Sequence, residues 1–160
     1  MIILNRDQMR RATMRLSMEI IEKNGGTENL VLIGICPRGI LLAKKMQREI
    51  AKIEGVQLPL GALDISAGGE GSKVNFSVEK KNVALIDDIM YTGRTVRSAL
   101  TALFALGTPN RVQLYTLIDS GQRELPFRPD GVGKNVPISS EESIKVHFIE
   151  TDGEDCVVLQ

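Results

Sequence analysis

The sequence predicts a doubly wound α/β domain built on a mainly parallel sheet, and three observations carry that prediction. Helical periodicity alternates with short β-branched runs along the chain. Two of these runs, 30–36 and 83–86, are apolar without alternation, as strands covered on both faces are. No internal repeat or low-complexity tract interrupts the pattern. With 160 residues, 42% of them hydrophobic, the whole chain, 1–160, fits one domain, and folding at this size buries roughly 70% of the extended chain's surface.

The elements follow in order. Asn5 and Gln8 have capping-box spacing and Asn24-Gly25-Gly26 is a stop, so 6–24 is predicted helical. At about 100° per residue, Met9, Ala12, Leu16 and Ile20 form one apolar stripe, which packs on the sheet, while Met14, Met18 and Ile21 form a second on roughly the opposite side. An exposed apolar face is disfavoured, so the second stripe is buried either under a loop or in a subunit interface. After the strand at 30–36 come a helix at 39–54 and a strand at 57–65. The segment 66–80, with glycines at 68, 69 and 71 and no periodicity, reads as a mobile loop. A buried strand at 83–86 leads through Asp87 and Asp88 to a Thr92-Gly93 turn and a helix ending at Gly107. The strand at 112–118 precedes 119–140, a connection whose length marks it as functional. Terminal strands are expected at 145–149 and 156–159.

Two cysteines, Cys36 and Cys156, imply no disulfide framework. The absence of a signal peptide and of any long apolar run predicts a cytoplasmic protein with no membrane span. Twenty basic and twenty acidic residues balance, so nucleic-acid binding would rest on a local basic patch.

The strongest chemistry lies at 83–95, VALIDDIMYTGRT. Ligands of doubly wound sheets bind at the carboxyl ends of strands. The first N–H groups of a helix lack intrahelical partners and sit at its positive end, so they attract phosphate. Gly93 permits close backbone approach, and Thr92, Thr95 and Arg94 add donors. Asp87 and Asp88 would repel a phosphate; they suit ribose hydroxyls or hydrated Mg²⁺. Together these describe a ribose 5-phosphate site, against the plainer reading in which Asp88 caps a turn and Thr95 begins a helix. Cys36-Pro37-Arg38-Gly39 follows the first buried strand and reads as an anion loop or as a structural turn. A Walker-type phosphate loop is excluded, because Gly34 and Gly39 are followed by Ile-Leu in place of Lys-Ser/Thr.

The run 83–95 resembles the phosphoribosyl-pyrophosphate signature of type I phosphoribosyltransferases. Residues 1–52, 86–105 and 117–137 also resemble the PyrR family, which combines uracil phosphoribosyltransferase activity with RNA-binding attenuation. The resemblance implies the fold of that class, with a small hood at about 119–140. It further implies that Thr92, Gly93, Arg94 and Thr95 hold the 5-phosphate, Asp87 and Asp88 the ribose, and Cys36, Pro37, Arg38 and Gly39 the pyrophosphate, with catalysis resting on Asp87, Asp88 and Arg38. Mg²⁺ arrives with phosphoribosyl pyrophosphate (PRPP), and Asp87 and Asp88 are its candidate protein ligands. The Cys36–Pro37 bond can be cis at little cost. Tyr91 stands where hypoxanthine-guanine enzymes often carry aspartate, which favours a pyrimidine base and UMP as product. A homo-oligomer, a dimer, is implied.

Three departures from the family set expectations of their own. The loop 66–80 is short and offers only Lys73 before Lys80, so a charged lid is reduced and turnover slowed. Gly131, beside Val132 in the expected base hood, replaces an aromatic and weakens base stacking. The family's RNA face maps to Arg15, Arg123, Arg128 and Lys134, but Met14, Met18 and Gln122 interrupt it. A nucleotide-sensing regulator with little catalysis is therefore the rival to an enzyme. His147, the only histidine, is expected to be structural.

Overall fold

The computed structural model of the protein describes residues 1–66, 69 and 71–160. Its elements run β1 (Ile2–Leu4), α1 (Arg6–Lys23), β2 (Leu30–Ile35), α2 (Gly39–Glu54), β3 (Leu60–Leu63), β4 (Asn82–Met90), α3 (Arg94–Phe104), β5 (Arg111–Asp119), β6 (Gly131–Asn135), β7 (Ile144–His147), α4 (Ile149–Asp152) and β8 (Cys156–Leu159). Five strands form a parallel sheet in the order β3-β2-β4-β5-β6. From β2 the chain winds one way, through α2 to β3. From β4 it winds the other way, through α3 to β5. The loops after β2 and β4 therefore diverge and open a crevice at the carboxyl ends of these neighbouring strands, where ligands of such sheets bind.

Two apolar cores flank this sheet. The expected stripe of α1 (Met9, Ala12, Leu16, Ile20) and that of α2 (Leu42, Ala43, Met46, Ile50) are buried in one, over Leu32, Ala84 and Ile86. Val96, Ala99 and Leu103 of α3 are buried in the other, against Val31, Ile33, Val83 and Leu85. Consecutive residues of β2 and β4 thus point into different cores, which explains why those runs show no polar alternation. The capping box forms as read, with Gln8 N donating to Asn5 Oδ1 and Asn5 N to Gln8 Oε1, both at 2.9 Å.

Several expectations are corrected. Within the stretch 119–140, 131–135 joins the main sheet as edge strand β6, and a separate small antiparallel sheet, β1-β8-β7, is built from the two ends of the chain. β4 does not end at Ile86; its ladder with β5 continues to Met90↔Asp119, so Asp87 lies within a paired strand. β3 is shorter than 57–65, because Pro59 has no N–H and only its carbonyl is used, by Leu32 N. Of the loop 66–80, residues 67, 68 and 70 lie outside the described residues. Its second half is packed: Val78 is buried, and Val74 and Phe76 lie against the α3-side core. The loop's entrance is closed by an antiparallel bridge between Ala62 and Lys73.

The open edge of β6 is covered by α1. Arg15 donates to the carbonyls of Val132 (3.2 Å) and Gly133 (2.5 Å), and Lys23 donates to the Asp130 carbonyl. In the second stripe of α1, Met14 and Ile21 are half-buried, but Met18 remains 52% exposed, so no loop among the described residues covers it. No helix among the described residues is long and apolar enough to cross a membrane.

Candidate active site

A cleft of about 570 Å³ opens at the switch point. Ile35, Cys36, Pro37 and Arg38 line it from the loop after β2, Asp64, Ile65 and Ser66 from the end of β3, Asp87, Asp88, Ile89 and Tyr91 from β4 and its loop, and Thr95 from α3. Three separate stretches of sequence therefore converge where the sheet topology requires. The Cys36–Pro37 peptide is cis. The loop that follows lies tight on β4, since a Cβ on Gly39 would collide with the Ile86 carbonyl and lie 3.0 Å from the Cα of Asp87.

The loop after β4 has the form of an anion cradle. Gly93, at φ 99°, is in the left-handed region, and α3 starts at Arg94 with no side-chain cap. Its first-turn N–H groups are left to an incoming acceptor or water, apart from a long contact of Arg94 N to Thr92 Oγ1 at 3.3 Å. A Cβ on Gly93 would also press to 3.2 Å from both Leu125 and Phe127. Thr95 reaches the cleft. The Arg94 guanidinium instead turns outward to Glu124, 2.8 Å away.

The two acids are held differently from the expectation of free carboxylates. Asp87 is 8% exposed and its Oδ1 accepts from Asp88 N at 2.9 Å; Asp88 Oδ1 accepts from Ile89 N at 2.9 Å. Burial, reinforced by the neighbouring Asp88 charge, pushes the Asp87 carboxyl well above the ordinary carboxylate range. Burial also raises Asp88, against a counter-pull from hydrogen bonds and from the Arg38 charge. Removing water from the pair raises the free energy of the ligand-free cleft, and donors that reach both oxygens relieve that cost. Burial and the Asp88 charge likewise raise the phenol of Tyr91, which donates to the Ile144 carbonyl at 3.1 Å.

Arg38 lines the cleft but its guanidinium is engaged with the small sheet. It donates to the Val146 carbonyl and to Asp152 at 2.9 Å, and its charge lies 5.1 Å from the centre of the Phe148 ring. The Phe148 amide and this guanidinium hold Asp152 far below the usual carboxylate range. These contacts identify residues that the sequence left unmarked. Ile144 and Val146 offer backbone carbonyls beside the cleft, Asp152 holds Arg38, and Asp64 accepts from Ser66 N and Gly71 N at 2.9 Å each. Only Asp64, an acid at a strand end before a glycine-rich stretch, carried a local signal. The others depend on the pairing of the chain ends.

The remaining predicted residues lie elsewhere. A Cβ at position 131 would point toward α1 and lie 2.5 Å from the Tyr115 ring, so a side chain there would not project into the cleft. Val132 lines a different cleft, together with Asp119, Phe127 and Arg128. The four basic residues do not form one free patch. Arg15 is tied to Glu19 and β6, and Arg123 to Asp119, while Arg128 and Lys134 are exposed and make no ion pair among the described residues. His147 stands in β7 with Nδ1 4.0 Å from Asp152.

Comparison with known proteins gives a consistent result. Residues 2–145 match the model of the phosphoribosyl transferase domain. The protein named Bifunctional protein PyrR from Caldicellulosiruptor bescii is 46% identical over 170 aligned residues, covering 99% of this chain and 93% of that one. Its namesake from Streptococcus uberis is 49% identical, covering 94% of this chain and 91% of its own. Among solved structures, hypoxanthine phosphoribosyltransferase of Trypanosoma cruzi superposes with a TM-score of 0.80 over 99% of this chain and 94% of its own. At 19% identity that likeness concerns fold alone. The chain belongs to the PyrR family of type I phosphoribosyltransferases.

Proposed function

We propose that the protein transfers the phosphoribosyl group of PRPP to a pyrimidine base, uracil, forming UMP. In this reaction a bond forms between N1 of the base and the ribose C1 atom, the bond from C1 to the pyrophosphate oxygen breaks, and the base nitrogen loses its proton. The observation that carries the proposal is the buried Asp87–Asp88 pair, set in one cleft between the anion cradle at 92–95 and the loop 36–39. An anion cradle, a pair of acids and a second loop along one cleft correspond in order to the 5-phosphate, ribose and pyrophosphate of PRPP.

In this reading Thr92, Gly93, Arg94 and Thr95 receive the 5-phosphate at the helix start. Asp87 and Asp88 accept from the ribose hydroxyls, which supply the donors that the ligand-free acids lack. Cys36, Pro37, Arg38 and Gly39 frame the leaving pyrophosphate. Tyr91, tied to β7 through the Ile144 carbonyl, bounds the space left for the base. Among the described residues no group of three or more His, Cys, Asp or Glu side chains forms a complete metal cage. Asp87 and Asp88 fit a Mg²⁺ ion that is carried in by the oxygens of PRPP, since Mg²⁺ is commonly held by one or two carboxylates plus phosphates. When bound, the ion neutralises charge on the departing pyrophosphate.

A second reading, a regulator that senses nucleotide through the same site, is favoured by the loop 66–80, which carries no arginine and is pinned at its base by the Ala62–Lys73 bridge. RNA contact in that reading falls to Arg128 and Lys134. The exposure of Met18 supports association into a homo-oligomer, a dimer. Incubation with PRPP, Mg²⁺ and uracil, beside a panel of other bases, tests the proposal through UMP formation. Absence of product from every base, with nucleotide binding retained, establishes the sensor instead.

A further inference from the structure

Three consecutive backbone carbonyls that lead into the phosphate cradle are held by one segment of the chain. The Met90 carbonyl accepts from both Ser120 N (3.0 Å) and Ser120 Oγ (2.9 Å). The Tyr91 carbonyl accepts from Arg123 Nη1 at 2.9 Å. The Thr92 carbonyl accepts from Glu124 N and Leu125 N, both at 2.9 Å. All the donors belong to 120–125, and Arg123 fixes the shape of that segment. Its guanidinium forms a bidentate pair with Asp119 (2.8 and 2.6 Å) and also donates through Nε to the Phe127 carbonyl at 2.7 Å. Leu125 and Phe127 then close on Gly93.

We propose that Arg123, anchored by Asp119, is a positioning residue for 5-phosphate binding: it braces the loop after β4 so that the N–H groups of Thr92 and Gly93, which share peptide planes with the held Tyr91 and Thr92 carbonyls, face the ligand just ahead of α3. A peptide plane whose carbonyl is fixed outward cannot turn its N–H away without breaking that bond. A cradle shaped before the ligand arrives does not have to be ordered by it. Arg suits the task because its planar fork serves a carboxylate and two carbonyls together, whereas a lysine ammonium presents one compact donor point. The inference assigns Arg123 to the interior of the site's support, in contrast to the RNA face to which the family pattern maps it. It rests on the assignment of the 5-phosphate to residues 92–95.

The test uses Arg123→Gln and Arg123→Lys in the full chain, with three readouts. In the ligand-free variants, amide hydrogen exchange at Ser120, Glu124 and Leu125 is expected to accelerate. By calorimetry, affinity for UMP is expected to fall about tenfold, in keeping with the loss of a charged hydrogen bond, while affinity for inorganic pyrophosphate with Mg²⁺ stays within twofold. Lysine is expected to restore less than half of the lost UMP affinity, measured as free energy. Unchanged exchange overturns the brace even if wild-type protein binds no UMP, and that absence of binding by itself sinks the phosphate assignment. Equal loss for UMP and pyrophosphate reduces Arg123 to a general stabiliser and overturns the proposal. Full rescue by lysine does the same, by showing that charge alone is needed.

Discussion

Two strand-to-helix loops face each other across the cleft, and they are supported in different ways. The loop at 36–39 is fixed from beneath. It has a cis Cys36–Pro37 bond, and Gly39 lies so close to β4 that even a methyl group meets the Ile86 backbone. The loop at 91–95 is fixed from outside, by 120–127, through hydrogen bonds to its carbonyls. Among the described residues, the first loop's long-range side-chain tie is Arg38, which reaches the small sheet. Similar local plans can thus be held by packing in one case and by a polar network in the other, and the two should fail differently.

Adding one methyl group to each loop tests the contrast most severely. Gly39→Ala is expected to cost about 3 kcal/mol or more in urea denaturation, because the backbone of β4 must move to admit it. Gly93→Ala should cost less, about 1–3 kcal/mol, because its strain is local and the Leu125 and Phe127 side chains can yield. If the order is reversed, the distinction between packed and braced loops is wrong.

The acids between the loops sharpen the comparison. Asp87→Asn is expected to lower UMP formation about 10- to 100-fold, the value of a charged hydrogen bond to ribose. Stability should move the other way. The folded carboxyl titrates above its unfolded value of about 3.9. Its stabilising contribution is therefore full below about pH 4 and is lost as the pH rises through the folded value. Ligand-free protein should have a urea midpoint that declines across that window, and Asp87→Asn should flatten the decline and raise the midpoint at pH 7. A lower midpoint for the variant at pH 7 contradicts the desolvated pair.

The smallest effect is expected where the first loop meets the small sheet. Asp152→Asn releases one anchor of Arg38, and pyrophosphate affinity should change a few-fold in titration calorimetry, with UMP affinity altered less. Asp152 also has the opposite linkage to Asp87. Its carboxyl is depressed in the folded protein, so its contribution is present above about pH 4 and is lost on acidification. The variant should lose part of the acid sensitivity while keeping the decline with rising pH due to Asp87.

These contrasts also explain what was legible in the sequence. The cradle at 92–95 and the acids beside it could be read because strand, Asp-Asp, glycine turn and helix start are contiguous, and each obeys a local rule. The stripe of α1 and the runs of β2 and β4 were readable for the same reason. Of the small sheet, the strands at 145–149 and 156–159 were readable, but β1 and the pairing were not, because β1 has three residues and finds its partner, β8, at the other end of the chain. β6 was missed since Gly131-Val-Gly-Lys-Asn135 has one β-branched residue, and its strand character comes from the neighbouring β5. Arg123 was read as a surface cation because no local pattern distinguishes a guanidinium facing solvent from one that satisfies a carbonyl 32 positions away.

The cover over β6 has a consequence for the behaviour of the protein in a crowded solution. An uncovered outer strand offers a ladder of acceptors to any extended segment that drifts past, and such pairing can propagate from molecule to molecule. Here Arg15 and Lys23 occupy the acceptors at Asp130, Val132 and Gly133, and place charge where an intruding backbone would have to dock. The first helix thereby guards the sheet's open side against runaway self-assembly at high concentration.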